Sequence, residues 1–137
     1  MSEHVRIERT FAASPERLYA AWTEPAILNR WFCPNPDVPL EVTADVVVGG
    51  AYRVDMGDGR YVAEGVYTAL EPGRLVELTW RWTTEDGAPT SRVRVELTPD
   101  GAGTRLVLTH TDLADADDVA GHREGWELQL GRLAALG

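Results

Sequence analysis

Four polar side chains of this sequence fall where the surrounding pattern predicts a buried, apolar face. His110 follows alternating leucines, and Glu64 alternates with two valines along another predicted strand. His122 and Gln129 share one face of a predicted helix with tryptophan and leucine. A buried imidazole or carboxylate needs a hydrogen-bonding partner or a shifted pKa. We interpret these groups either as structural polar groups satisfied internally or as groups that orient a hydroxyl, carbonyl or carboxylate of a ligand.

Signatures of catalysis are few. His110 and Glu64 could in principle supply an acid and a base. The sequence contains no G-x-S-x-G motif, no P-loop and no Rossmann fingerprint, and its single cysteine and three histidines lack metal-ligand spacing. We therefore predict no catalytic residue, no metal and no cofactor, and favour a protein that is not an enzyme. Cys33 is interpreted as a small, partly buried hydrophobe instead of a reactive thiol.

The composition describes one globular domain over residues 1–137. Of these residues 44% are hydrophobic and 26% are charged, which is typical of a folded chain. The net charge is -9, and the 13 cationic residues, all arginines, are dispersed among 22 acids. Because a phosphate-binding surface needs clustered cations, nucleic acid and anionic membrane surfaces are excluded as predicted partners.

Signals for export or membrane insertion are also lacking in the sequence. No apolar run approaches the roughly 20 residues that span a bilayer, and the N-terminal residues lack the apolar stretch of a signal peptide. A single cysteine cannot form an internal disulfide, which fits a reducing compartment. We predict a cytoplasmic location and no membrane insertion.

Hydrophobic alternation and turn residues predict the elements that must position these groups. A first strand is predicted over 3–11, and Ser14 as N-cap with Pro15 at the first helical position predicts a helix over 15–22. Thr23 is predicted to cap a second short helix. The remaining predicted elements are strands over 41–48, 50–56, 60–70, 74–83, 91–98 and 104–112, and one long helix over 115–136.

The apolar faces of these elements predict a hollow between an antiparallel sheet and the long helix. Trp80 and Trp82 share a strand face, while Trp126 and Leu130 share a helical stripe. Gly125 is predicted to let the helix approach a neighbouring element closely, and its replacement by alanine to destabilise the fold. The predicted ligand-binding residues are Trp31, Phe32, Tyr52, Val54, Met56, Glu64, Leu78, Trp80, Trp82, Val95, Leu108, His110, His122, Trp126, Gln129 and Leu130.

Five local sequences resemble one known family across essentially the whole chain. They are ASPERLYAAWTEPAILNRWF, VVVGGAYRVDM, LEPGRLVELTWRW, GTRLVLTHT and HREGWELQLGRLAAL. They are similar to the bacterial branch of the AHSA family, named for the activator of a heat-shock protein's ATPase, within the START-like (SRPBCC) helix-grip superfamily. The resemblance implies an α+β fold in which a curved antiparallel sheet wraps around a long C-terminal helix, with two short helices after the first strand.

The resemblance also sets the functional expectations. Related folds bind lipids, sterols, polyketides and plant hormones, and some catalyse cyclisation or dehydration. The leading expectation is binding of a small hydrophobic molecule, lipid-like, aromatic or polyketide-like, between sheet and helix. The alternatives are a cyclase or aromatase acting on such a molecule, and a protein-interaction module that is either linked to a chaperone in the stress response or dimeric, with a homodimer as the expected assembly in the second case. Eukaryotic activators carry a separate N-terminal domain for which 137 residues leave no room, which argues against chaperone activation.

Overall fold

A computed structural model describes residues 4–32, 40–57, 61–83, 90–113 and 115–135. Within these ranges the chain forms seven strands and three helices. Cys33 and the outermost predicted positions 3, 60 and 136 lie outside the described residues. The elements in chain order are β1 Val5–Phe11, α1 Pro15–Thr23, α2 Pro25–Trp31, β2 Leu40–Ala44, β3 Ala51–Met56, β4 Tyr61–Glu71, β5 Leu75–Trp82, β6 Ser91–Asp100, β7 Gly103–Thr111 and α3 Ala116–Ala135.

The strands form one antiparallel sheet in the order β1-β7-β6-β5-β4-β3-β2. The strands from β2 to β7 follow one another as a meander, whereas β1 pairs with the last strand, β7. The two short helices connect the two edges of the sheet, and α3 follows the last strand. The α+β helix-grip architecture predicted from the sequence is confirmed.

Local capping explains where the short helices begin. The Ser14 side chain accepts a hydrogen bond from Arg17 N at 3.2 Å, and Pro15 occupies the first turn, as predicted. The prediction that Thr23 caps α2 is wrong, because Thr23 ends α1 and its hydroxyl donates to Tyr19 O at 2.8 Å. The N-cap of α2 is Glu24, whose extended backbone separates the two helices and whose side chain makes no capping bond.

The second strand is shorter than the predicted range 41–48. It ends at Ala44, after which Asp45 N donates to Ala51 O and closes a tight turn. Val47 and Val48 lie in this turn and are exposed. Gly49, which follows the two valines, adopts a φ of 87°. Glycine tolerates this left-handed conformation, which does not occur in a regular strand. The turn therefore interrupts the run of valines that the alternation assigned to the strand.

The inward face of β4 differs from the prediction. Tyr52 and Val54 of β3 are buried, and their cross-strand partners are Gly65 and Ala63. Since directly opposed residues share a face of the sheet, odd-numbered positions of this stretch of β4 face the core. Glu64 is exposed on the other face.

The long helix is buried along only half of its length. Its buried residues, Trp126, Gln129, Leu130 and Leu133, all lie in the C-terminal half. The segment 116–125 contains no buried residue. None of the described helices is long and apolar enough to cross a membrane.

Candidate functional site between the sheet and the long helix

Five aromatic rings meet between the sheet, the short helices and α3. The Trp22 centroid lies 4.8 Å from Trp31 and 5.7 Å from Phe32. Phe32 in turn lies 5.9 Å from Trp80 and 5.7 Å from Trp126. Trp126 is 5.8 Å from both Trp22 and Trp80. These are the separations of favourable ring pairs, so the cluster joins α1, α2, β5 and α3.

The described side chains fill most of the space that the sequence predicted to be hollow. A void beside the ring cluster measures about 10 Å³, room for about one water molecule. Pockets that hold drug-sized ligands measure about 300 Å³ or more. The side chains lining the void are Trp22, Leu28, Phe32, Val42, Tyr52, Val54, Tyr67 and Leu78. A ligand of that size would fit in this void only if some of these rings moved.

Most of the predicted ligand-binding residues are buried in this region. Trp82 and His122 are half-buried, and Glu64 is the exception, because it is exposed on the outer face. The prediction that Glu64 lies on the buried, apolar face is wrong, and its in-register neighbours on the adjacent strands are Arg53 and Arg81. The buried members are Trp31, Phe32, Tyr52, Val54, Met56, Leu78, Trp80, Val95, Leu108, His110, Trp126, Gln129 and Leu130. Their contact with a ligand stays a prediction.

His110 is fully buried and its tautomer follows from its partners. Trp126 Nε1 lies 3.0 Å from Nδ1 of His110. Because an indole N–H can only donate, Nδ1 must accept, and the imidazole proton is on Nε2. Nε2 lies 2.7 Å from Ser91 Oγ, which in turn donates to Trp80 O at 3.0 Å. Every polar atom of the buried imidazole therefore has a partner when the ring is neutral.

His122 is held in the opposite tautomer. Trp82 Nε1 donates to Nε2 of His122 at 3.1 Å, so the proton of this ring is on Nδ1. Nδ1 lies 2.8 Å from Asp118 O and 3.2 Å from the Asp118 carboxylate. The centroids of the His110 and His122 rings are 4.7 Å apart, nearly perpendicular. Two tryptophans thus fix two neutral, neighbouring histidines.

The pKa values follow from burial. Desolvation, with a smaller contribution from the nearby His122 ring, lowers the pKa of His110 from its usual value to about 3. Desolvation also raises the pKa of Tyr52 well above its usual value and that of Tyr67 to about 12. The Tyr52 hydroxyl donates to Thr79 O. These groups are therefore uncharged at neutral pH.

The Ser91–His110 contact does not form a nucleophile and its general base. A serine nucleophile needs an imidazole nitrogen free to accept its proton, whereas Nε2 of His110 already carries one. The other nitrogen accepts from Trp126, where a triad would place a carboxylate acceptor. The acid–base pair of His110 and Glu64 is excluded as well, because Glu64 is exposed on the outer face. Within the described ranges no group of three or more His, Cys, Asp or Glu could hold a metal ion.

Within the part of the chain that the structure describes, three buried donors near the ring cluster have no hydrogen-bond partner. They are Trp22 Nε1, Trp80 Nε1 and Gln129 Nε2. Trp22 and Trp80 each contact both Phe32 and Trp126. Native proteins leave few buried donors unpaired, since each costs about 1–3 kcal/mol. A hydrogen-bond acceptor supplied from outside the chain would satisfy them.

Among the residues of this region that the predicted ligand-binding set left out are Trp22, Ser91, Tyr67 and Gly65. Ser91 starts a strand whose alternate positions Val93 and Val95 face inward, so continuing the alternation would have placed it beside His110. Tyr67 was left out because the sequence pattern assigned the wrong face of β4 to the core. Gly65 is needed because a Cβ there would collide with Thr79 O, a contact that no local pattern reports.

The comparisons with known proteins agree with this architecture. Residues 12–137 match the family model described as Activator of Hsp90 ATPase homolog 1-like protein, so the chain belongs to this family. The predicted family is therefore confirmed. No curated protein matches the sequence.

Solved structures extend the match over nearly the whole chain. Protein CV1439 from Chromobacterium violaceum is 28% identical with a TM-score of 0.86, over 98% of this chain and 96% of that chain. The AHSA1 protein SPO3351 from Silicibacter pomeroyi is 31% identical with a TM-score of 0.76, over 96% of this chain and 95% of that one. DynU16, described as a protein in the dynemicin biosynthetic locus, shares the fold at 24% identity and a TM-score of 0.82, over 97% of this chain and 46% of its own.

Proposed function

We propose that this protein binds a small, largely apolar molecule that presents hydrogen-bond acceptors, in the space between the sheet and α3. The observation that carries the proposal is the pair of buried indole donors, Trp22 Nε1 and Trp80 Nε1, which have no partner among the described residues and belong to rings that both contact Phe32 and Trp126. The aromatic surroundings match the mostly apolar lining of small-molecule sites.

The free donors define the ligand's chemistry. An indole N–H donates and never accepts, so it pairs with a carbonyl, ether, carboxylate or hydroxyl oxygen, but it offers no acceptor for the hydrogen of a hydroxyl group. The imidazoles of His110 and His122 provide no free acceptor for a ligand hydroxyl, because indole N–H groups already donate to their accepting nitrogens. An aromatic or polyketide-like ketone fits these donors better than a polyol. A lipid-like molecule fits through its carbonyl or carboxylate end.

Binding requires an opened state, and the N-terminal half of α3 is the element best placed to open. Segment 116–125 has no buried residue, and Gly121 and Gly125 each lower helix propensity by about 1 kcal/mol relative to alanine. The side-chain bonds of this half to the sheet include Trp82 to His122 and Arg123 to Arg6 O. If the open state is populated at about 1%, the apparent affinity is about 100-fold weaker than the intrinsic one.

The other predicted roles lack a specific observation of this kind. A cyclase or aromatase would need a free acid or base near the ligand, and both described histidines of the site are committed to other bonds. A chaperone-linked role, a homodimer and a cytoplasmic location stay predictions.

Native mass spectrometry of protein purified without added ligand tests the proposal first, followed by a thermal-shift screen. The screen compares aromatic ketones, fatty acids and polyketide-like molecules, and DynU16 motivates including biosynthetic small molecules. We expect a ligand to raise the melting temperature with concentration, because it binds only the folded state. If no acceptor-bearing ligand shifts the melting temperature, the proposal is wrong.

Trp80→Phe sharpens the test, because it removes the unpaired donor and keeps an aromatic ring. An acceptor-bearing ligand should lose about fivefold to tenfold in affinity, while its hydrocarbon analogue should lose much less. Trp31→Phe is the matched control, since Trp31 Nε1 is already bonded to Ala21 O at 2.9 Å. Equal losses in the two variants would show that the indole donor is not a ligand contact.

A further inference from the structure

A second concavity lies outside the sheet–helix interior. It is a surface groove of about 450 Å³ where the end of β1, both short helices and the end of α3 meet. Its volume is in the range of small-molecule sites. The groove is lined by Thr10, Phe11, Ala12, Ala13, Arg17, Leu18, Ala20, Ala21, Ile27, Arg30, Leu133 and Ala134.

The floor of the groove is apolar. Phe11, Leu18, Ala21 and Leu133 are buried and belong to three different elements. Trp22, the residue after Ala21, instead lines the interior void. The groove and the interior therefore lie on two sides of α1 and can hold different ligands.

The charged residues of the groove are both cations. Arg17 and Arg30 are exposed, and neither forms an ion pair with another described residue. By contrast, Arg94 on the sheet donates to Glu77 at 2.8 Å. The groove contains no acidic residue, although the chain as a whole carries a net charge of -9. Two guanidinium groups are thus left to face a groove with an apolar floor.

The apolar floor and the two cationic side chains together indicate which kind of ligand fits the groove. We infer that this groove binds a small amphiphilic carboxylate, with its alkyl or aryl body on the apolar floor and its carboxylate on Arg17 and Arg30. Guanidinium groups pair with carboxylates through two parallel hydrogen bonds. The net charge of -9 repels an extended anionic surface such as a membrane or nucleic acid. A single carboxylate responds mainly to charges within about 8–10 Å, and the charged residues that line the groove are these two arginines.

Three probes with the same ten-carbon chain test the inference: decanoate, decanol and decyltrimethylammonium, each below its micelle-forming concentration. Isothermal titration calorimetry should rank decanoate first and the cation last, with the decanoate affinity falling as salt is added. In methyl NMR, decanoate should shift the signals of Ile27 and Leu133, which line the groove, before those of Val42 and Val54, which line the interior.

Variants separate the charge from the shape of the site. Arg17→Gln and Arg30→Gln should each weaken decanoate binding by about fivefold and leave decanol unchanged. Arg81→Gln is the matched control, an exposed arginine on β5 outside the groove that changes the net charge equally. Ala134→Trp places a large ring at an exposed position of the groove and should abolish binding of decanoate and decanol alike.

The possible outcomes bear differently on the two sites. Equal affinity for decanoate and decanol, or no binding of decanoate at millimolar concentration, overturns the groove inference. Methyl shifts confined to Val42 and Val54, with binding unaffected by Arg17→Gln, also overturn it while supporting a ligand in the interior. Loss of interior binding in the Trp80→Phe variant leaves the groove inference intact.

Discussion

The indole N–H of Trp126 donates to Nδ1 of His110 at 3.0 Å, and this bond links the long helix to β7, the strand next to the β1 edge of the sheet. It requires His110 to be neutral with its proton on Nε2. The same proton reaches Ser91, whose hydroxyl continues the chain to the backbone of β5. One imidazole thus connects α3, β7, β6 and β5, and its protonation would break the connection.

Stability should fall in acid because of His110. Its pKa is about 3 in the folded protein and about 6.5 in the unfolded chain, so the unfolded chain binds the proton more readily between these values. The stability that the neutral, buried His110 contributes is fully present above pH 6.5. As pH falls from 6.5 toward 3, the free energy of unfolding decreases by at most about 1.4 kcal/mol per pH unit. Urea unfolding at a series of pH values should show this slope reduced in His110→Gln and retained in His4→Gln. An NMR titration of His110 with a midpoint near 6.5 would contradict the prediction.

Trp126→Phe should be more destabilising than Trp80→Phe. Both remove an indole from the same ring cluster, but Trp126 Nε1 has a hydrogen-bond partner whereas Trp80 Nε1 has none among the described residues. The Trp126 variant leaves Nδ1 of His110 buried without a donor, a penalty of about 1–3 kcal/mol beyond the loss of ring area. Chemical denaturation measures the difference. Equal losses of stability would mean that the Trp126–His110 bond contributes nothing.

Gly125→Ala should stabilise the fold, which reverses the prediction made from the sequence. An added Cβ at Gly125 meets no described atom within 4 Å outside the local helix backbone, so no close approach requires glycine there. Alanine should then contribute about 0.5–1 kcal/mol through helix propensity. Gly65→Ala is the contrasting variant, because its Cβ would collide with Thr79 O and should destabilise the sheet. A fall in melting temperature for Gly125→Ala would restore the packing role.

Hydrogen exchange should divide α3 into two parts. Amides in 119–125 should exchange faster than those in 127–133, because the buried side chains Trp126, Gln129, Leu130 and Leu133 anchor only the second part. The double variant Gly121→Ala and Gly125→Ala should slow exchange in the first part and slow ligand association if that half opens for entry. Uniform exchange along the helix would exclude this half as the route of entry.

Local rules predicted the elements well and failed at identifiable points. Ser14 and Pro15 located the start of α1, because capping depends on neighbours in the chain. Glu64 was assigned to the wrong face, because both faces of β4 carry apolar residues and alternation alone does not choose between them. The pairing with β3 determines which face is buried. Tyr52 and Val54 of β3 face the core, so the residues opposite them on β4 face the core as well.

The sequence by itself determined the family, the order of strands and helices, and the apolar character of the surfaces that meet. Periodicity, turn residues and caps are properties of short segments, so they can be read from the sequence without a structure. Only the tertiary structure decided that aromatic rings fill the interior, that Trp126 and Trp82 fix the two histidines in opposite tautomers, and that Arg17 and Arg30 share a groove. These features join residues up to about a hundred positions apart, and they depend on where α3 sits over the sheet and which rotamers the close-packed rings adopt.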